Sequence, residues 1–132
     1  METEFERITQ ACEAFVLSLK EERYYDAHAD LEALWFPRRF EENYEVKLWK
    51  GFINAAVCFE LIHKGRPKPS EIAWNTYLKY QLLLGAFETV HYEMYVRIMQ
   101  LIEKKYFVIL GLDPGIHLKK ELDPLLRGQS AL

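Results

Sequence analysis

The sequence contains few glycines, prolines and cysteines. Glycine and proline supply only 6 and 5 of the 132 residues, too few for a collagen-like repeat or a low-complexity linker. The two cysteines, Cys12 and Cys58, lack the close Cys or His spacing that is typical of zinc sites. They could join in one disulfide, but their apolar sequence surroundings favour two buried free thiols.

Long apolar runs and long basic runs are also absent. No stretch approaches the roughly 20 apolar residues that a membrane-spanning helix needs. The acidic start, Met1 to Glu4, lacks the basic-then-apolar layout of a signal peptide. No run of Lys and Arg exceeds two residues, which argues against a nucleic-acid-binding surface. We therefore expect a cytoplasmic protein that binds neither membranes nor nucleic acids.

Apolar residues are abundant, and they recur at helical spacing. Half of the sequence is hydrophobic, including eight Phe, eight Tyr and three Trp, which is enough to build a core at this length. Intervals of three and four residues dominate, and no segment alternates as a strand would. We predict an all-α fold, a single domain over residues 1–132, with about five helices and a short helical tail over 111–132. The predicted helices cover residues 5–19, 25–35, 42–64, 70–85 and 86–110.

The third predicted helix has apolar residues on two stripes, which predicts a central position in the bundle. Gly65 fits the position that follows a helix end. Ser70 with Glu71 is expected to open the fourth helix. In the fifth helix the inward residues are expected to be Phe87, Val90, Met94, Ile98, Leu101 and Ile102. In the tail, Asp113-Pro114 and Asp123-Pro124 each resemble a helix start.

The second predicted helix holds the most informative polar residues. His28 and Glu32 are four positions apart, so their side chains share one helix face, and Trp35 follows one turn later. An imidazole and a carboxylate so placed can share a proton, bind a divalent metal or hydrogen-bond each other. A helix-edge pair that anchors the Trp in the core is the structural alternative.

This pattern, continued by Lys50-Gly51-Phe52-Ile53-Asn54-Ala55-Ala56, resembles domain-of-unknown-function family 309. That family shows a His-x3-Glu-x2-Trp helix followed by a Gly-Leu-Ile-Gln-x-Ala helix and a Gly-rich turn, and the resemblance covers about residues 24–84. Asn54 stands at the usual Gln position, and Gly65-Arg66-Pro67 departs from the family's Gly-Asn. The resemblance implies a compact helical fold without an established activity, labelled a predicted metal-dependent hydrolase.

The resemblance also implies a polar pocket between the second and third helices. His28, Glu32 and Trp35 would line it from one side, and Lys50 and Asn54 from the other. Two functions follow as alternatives. One is a non-enzymatic module in which these residues form a buried structural network or help to bind a partner. The other is a small hydrolase in which His28 and Glu32 bind a divalent metal, the only cofactor that the sequence suggests.

A second metal set has weaker support. Two Glu-x2-His pairs on different helices, with acids from two further helices, form the di-iron site of helical bundles. Glu60 with His63 and Glu88 with His91 have this spacing, and Glu13 and Glu32 could add the remaining acids. With sixteen Glu in the chain, such pairs also arise by chance.

Four tyrosines in the fourth and fifth predicted helices suggest self-association. Tyr77, Tyr80, Tyr92 and Tyr95 lie among the apolar residues of these helices, and Tyr80 and Tyr92 fall off the main stripes. Tyrosine is enriched at protein interfaces, although single exposed aromatics also occur on ordinary surfaces. We predict a homodimer through the fourth and fifth helices.

Overall fold

A computed structural model describes residues 1–111, and within them five α-helices pack together without any strand. The all-α prediction is therefore confirmed. The predicted tail turns at Asp113 and Asp123 lie outside the described residues. Short 3-10 turns, at residues 36–38 and 82–86, follow the second and fourth helices. The helices are α1 (Glu4–Lys20), α2 (Tyr24–Trp35), α3 (Tyr44–His63), α4 (Pro67–Gln81) and α5 (Tyr92–Ile109).

Local side-chain and backbone chemistry explains where these helices begin and end. The Asn43 side-chain oxygen accepts hydrogen bonds from the Glu45 and Val46 N–H groups at 2.8 and 3.2 Å, which caps α3. After α3, Gly65 adopts φ of +69°, and the Arg66 N–H donates to the Leu61 carbonyl at 2.9 Å. This is the Schellman ending that the sequence predicts at Gly65.

Two predicted helix starts are wrong. α4 begins at Pro67, three residues before Ser70, because proline suits the first helical turn; the Ser70 hydroxyl instead donates to the Pro67 carbonyl at 2.6 Å. α5 begins at Tyr92 rather than at residue 86. Thr89 accepts a hydrogen bond from the His91 N–H at 3.1 Å, a turn that competes with helix. Val90, expected inside, is 83% exposed.

The central helix is α3, as predicted. Trp49, Phe52 and Phe59 on it are fully buried, and α3 packs against α2, α4 and α5. The Phe52 ring lies 6.3 Å from Phe15 of α1 and 5.8 Å from Tyr95 of α5, measured between centroids. α3 therefore connects all the other helices into one core.

Two further features of the fold bear on function. Thr9 and His91 are in contact near the first residues of α1 and α5, and Leu17 and Leu101 line one groove further along, so these two helices run parallel. Within residues 1–111, no helix combines the length and the apolar content needed to cross a bilayer.

Candidate functional site

The His28–Glu32 pair forms on α2 as the spacing predicts. The His28 Nε2 atom lies 2.8 Å from the Glu32 Oε2 atom, and the side chains are 25% and 48% exposed. The Tyr25 ring stands edge-on to the imidazole at 6.0 Å. Since the residues that α2 buries are Tyr24, Ala27 and Leu31, the pair lies at the edge of the helix and meets solvent. The prediction of a buried network is therefore wrong for these two residues. The pair contributes only about 0.5 kcal/mol to the free energy of unfolding.

Trp35 and Lys50, from the two sides of the predicted pocket, do approach each other. The Lys50 ammonium lies 5.9 Å from the Trp35 ring centroid and 5.8 Å from that of Tyr80, a position that allows cation–π attraction to both rings. A Cβ on Gly51 would lie 2.9 Å from the Tyr80 Cβ. Glycine at this position therefore lets α3 and α4 approach closely enough to bring Tyr80 to the lysine.

Asn54 takes no part in this contact. Its side-chain N–H donates to the Lys50 carbonyl on the same helix at 2.9 Å. Among the described residues, no hydrogen bond or ion pair joins His28 or Glu32 to Lys50 or Asn54. Apart from Asn54, the predicted pocket residues thus form two separate groups: a hydrogen-bonded His28–Glu32 pair at the edge of α2, and the Lys50 ammonium between aromatic rings where α2, α3 and α4 meet.

The structure does not assemble the predicted di-metal set. Glu60 pairs with Lys64 at 3.0 Å, and the His63 ring lies against the Tyr24 ring at 5.0 Å. Glu88 is exposed in the loop before α5, so Glu88 and His91 do not share a helix face. Glu13 lines a groove between α1 and α5. Across residues 1–111, no three His, Cys, Asp or Glu side chains are grouped as metal ligands.

A buried polar chain, absent from the sequence predictions, links α3 to α5. The Trp49 indole N–H donates to the Tyr95 hydroxyl at 2.9 Å, and that hydroxyl donates to the Glu45 carboxylate at 2.5 Å. The Thr89 hydroxyl donates to the same carboxylate oxygen at 3.1 Å. Burial and the bond to Glu45 raise the pKa of Tyr95 far above its ordinary value. The phenol therefore remains a neutral donor, as this arrangement requires.

The chain continues from α5 to α1 through His91. Its backbone N–H donates to the Thr89 hydroxyl, and its Nε2 atom lies 3.0 Å from the Thr9 hydroxyl oxygen. The imidazole is 5% exposed and stacks on the Phe5 ring at 4.7 Å. His91 therefore links α5 to α1 through its ring contacts. A signal for part of this chain was present, because a buried Trp or Tyr needs a partner for its N–H or O–H group.

A comparison with known protein families matches residues 12–72 to the family described as a domain of unknown function, DUF309. Residues 12–72 are a DUF309 domain. The DUF309 segment contains His28, Glu32, Trp35, Lys50 and Asn54, so the family resemblance is confirmed. It begins and ends earlier than the expected range of 24–84, taking in part of α1 and only the beginning of α4. No curated protein and no solved structure shows significant similarity to this chain.

Proposed function

We propose that the chain is a non-catalytic helical module that binds another protein through an aromatic–arginine surface, formed by Phe36, Arg39 and Phe40 between α2 and α3. The observation that carries the proposal is the exposure of this surface. Phe40 is 84% exposed and Phe36 is 51% exposed. Burying a phenylalanine ring against a partner contributes about 1.5–3 kcal/mol, so two such rings are effective anchors.

Arg39 adds charge and shape to this surface. Its guanidinium carbon lies 3.6 Å from the Phe36 ring centroid and 4.4 Å from that of Phe40, and its Nη1 atom donates to the Phe36 carbonyl at 2.6 Å. No carboxylate of the described residues pairs with Arg39, whereas Arg38 pairs with both Glu4 and Glu41. The arginine is thus held in one place with its charge available. Arginine and aromatic residues dominate the binding energy of protein interfaces.

Two of the predicted pocket residues, Trp35 and Lys50, support this surface from behind. Trp35 immediately precedes Phe36, and the two rings lie 6.4 Å apart with steeply inclined planes. Lys50 contacts the Trp35 ring and thereby ties the end of α2 to α3. Trp35 and Lys50 therefore have a structural role that fixes the start of the binding surface. The partner expected here has an apolar recess for phenylalanine and a carboxylate for Arg39.

Affinity purification with the full chain tests this proposal. We expect Phe40→Ser and Arg39→Glu to lose a bound protein that the wild type retains. Ile72→Ser is the matched control, because Ile72 is a large apolar residue that is 68% exposed on α4. Quantitative mass spectrometry of the bound proteins and circular dichroism of each variant supply the readouts. Equal recovery of every bound protein by the wild type and the three variants would contradict the proposed surface.

The metal-dependent hydrolase is the second candidate, favoured by the 2.8 Å contact on the accessible side of α2. A catalytic zinc site usually has three protein ligands. Within the described residues, no third ligand joins His28 and Glu32. Elemental analysis of the wild type and of the double variant His28→Ala, Glu32→Gln distinguishes the two functions. Stoichiometric metal that the double variant loses would favour the hydrolase; a low, equal metal content would favour the binding module.

A further inference from the structure

An open groove of about 380 Å³ lies between the outer faces of α1 and α5. Its floor is apolar: Val16 and Leu17 come from α1, and Met94 and Leu101 from α5. Leu17 is 52% exposed although it lines the groove together with these three apolar side chains. We call this feature the α1–α5 groove. An exposed apolar floor between two helices is typical of a surface that binds a further helix.

Three charged side chains border the groove, and none of them forms an ion pair within the part of the chain that the structure describes. On α1, Glu13 and Lys20 are seven positions apart, about 10 Å along the helix, with Val16 and Leu17 between them. Arg97 borders the groove from α5. The side of α1 that lines the groove therefore presents an acid, two apolar residues and a base, in that order along the chain.

We propose that a second copy of this chain covers the α1–α5 groove, with the two α1 helices antiparallel about a two-fold axis between positions 16 and 17. The order of charges on α1 carries this proposal. In this arrangement Glu13 of each copy faces Lys20 of the other copy. Val16 of each copy likewise faces Leu17 of the other. Each contact forms twice, as a two-fold interface requires.

Other arrangements of the two α1 helices bring like charges together. Parallel helices in register place Glu13 beside Glu13 and Lys20 beside Lys20, and like charges that face each other oppose association. An antiparallel pair centred one turn earlier, at position 13, also places Glu13 against Glu13. The order of charges therefore selects both the direction and the register of the pair.

The apolar residues of α5 fit the same arrangement. α1 and α5 run parallel, and the contact between Thr9 and His91 brings those two residues to the same level. By equal steps along the two helices, Met94 lies before the level of Leu17 and Leu101 lies after it. Leu17 of one copy would therefore enter the groove of the other copy between the two α5 residues. Methionine adapts its shape to such a contact and is enriched at interfaces.

The size of the surface predicts a weak dimer. α1 and α5 contain 17 and 18 residues, so side by side they offer a face about 25 Å long and about 20 Å wide. Two such faces bury roughly 1000 Å², which is at the lower end of the range for protein interfaces. We therefore expect a dimer that dissociates at micromolar concentrations, so that the measured mass depends on concentration.

Analytical ultracentrifugation of the full chain, from about 1 μM to about 1 mM, tests for this dimer. Leu17→Glu places two charges at the apolar centre of the interface and should weaken the dimer at least ten-fold. Tyr92→Glu is the matched control: Tyr92 is also about half exposed, but it lies about 160–180° around α5 from Met94 and Leu101. A dimer that Tyr92→Glu dissociates and Leu17→Glu leaves intact would use the α4–α5 surface and would overturn the proposal.

Charge exchange tests the predicted contact between the two copies. Glu13→Lys alone, or Lys20→Glu alone, brings like charges together twice and should weaken the dimer about ten-fold. The double variant exchanges the two charges and should restore the affinity of the wild type. A mixture of the two single variants should form a mixed dimer of similar affinity, because each contact again joins opposite charges.

Two results would overturn the proposal. One is a wild-type mass of 15.7 kDa at every concentration, which decides the question whether or not the variants fold. The other is a double variant and a mixture that are both as weak as the single variants, because positions 13 and 20 would then not face each other. Glu13 and Lys20 are exposed, so their variants should fold, and circular dichroism of each variant checks this.

Discussion

Replacing Tyr95 with Phe removes one hydroxyl from the buried polar chain and leaves the aromatic ring in place. The Trp49 N–H then loses its acceptor in a fully buried position, which costs about 1–3 kcal/mol. Glu45 loses a donor at 2.5 Å, and hydrogen bonds to charged groups contribute about 1.5–3 kcal/mol. Since the two losses share one hydroxyl and are not additive, we expect the free energy of unfolding to fall by about 2–4 kcal/mol.

Tyr24→Phe is the matched control for this prediction. Tyr24 is also buried, at 3% exposure, but its hydroxyl has no hydrogen-bond partner among the described residues. Removing an unpaired buried hydroxyl is expected to leave stability unchanged or to raise it by about 1 kcal/mol. Urea unfolding at neutral pH, followed by circular dichroism, measures both variants. Equal losses of stability would refute the reasoning, because they would show that the hydrogen bonds of Tyr95 contribute nothing beyond an isolated hydroxyl.

Three further predictions concern the backbone, the thiols and assembly. Glu22 adopts φ of +59° after α1, so Glu22→Gly is expected to stabilise the fold by about 1 kcal/mol in the same urea assay; a loss of stability would contradict this. Burial raises the pKa values of Cys12 and Cys58 from 9.0 to about 12. Because the unfolded thiols ionise first, the contribution of each thiol to the free energy of unfolding should be fully present below pH 9. Between pH 9 and 12 it should fall by about 1.4 kcal/mol per pH unit for each thiol. Cys12→Ala should make the alkaline decline of the urea midpoint shallower than in the wild type, and an unchanged decline would count against the assignment. The homodimer through α4 and α5 stays a prediction: Tyr92 is 51% exposed, so Tyr92→Glu should lower a dimeric mass in light scattering, and a wild-type mass of 15.7 kDa at all concentrations would exclude the dimer.

Features that depend on neighbours in the sequence could be predicted. The His28–Glu32 contact follows from a spacing of four residues on one helix, and the end of α3 follows from Gly65. The central position of α3 follows from its two apolar stripes. In each case the cause lies within one helix or at its end, where the geometry of the helix fixes which side chains share a face.

Features that depend on distant residues could not be predicted in the same way. The hydrogen bond from Trp49 to Tyr95 joins residues 46 positions apart, and the bond from Tyr95 to Glu45 joins residues 50 positions apart. Tyr95 is one of the four tyrosines that suggested a dimer from the sequence, whereas the fold buries it completely. The wrong start of α5 has a local cause: apolar spacing continues through Val90, but the hydrogen bond between Thr89 and His91 favours a turn there.

The match to DUF309 stops at residue 72, but the core does not. Trp49 lies within the matched segment and donates its indole N–H to Tyr95 outside it. Phe52, also within the segment, packs against the same tyrosine, with ring centroids 5.8 Å apart. A chain cut after residue 72 would leave a buried Trp N–H without a partner and would expose the Phe52 ring, which together cost several kcal/mol. Since small domains are stable by only about 5–15 kcal/mol, α5 belongs to the unit that folds. The aromatic–arginine surface of the DUF309 segment thus depends on a helix outside that segment for the core that holds it.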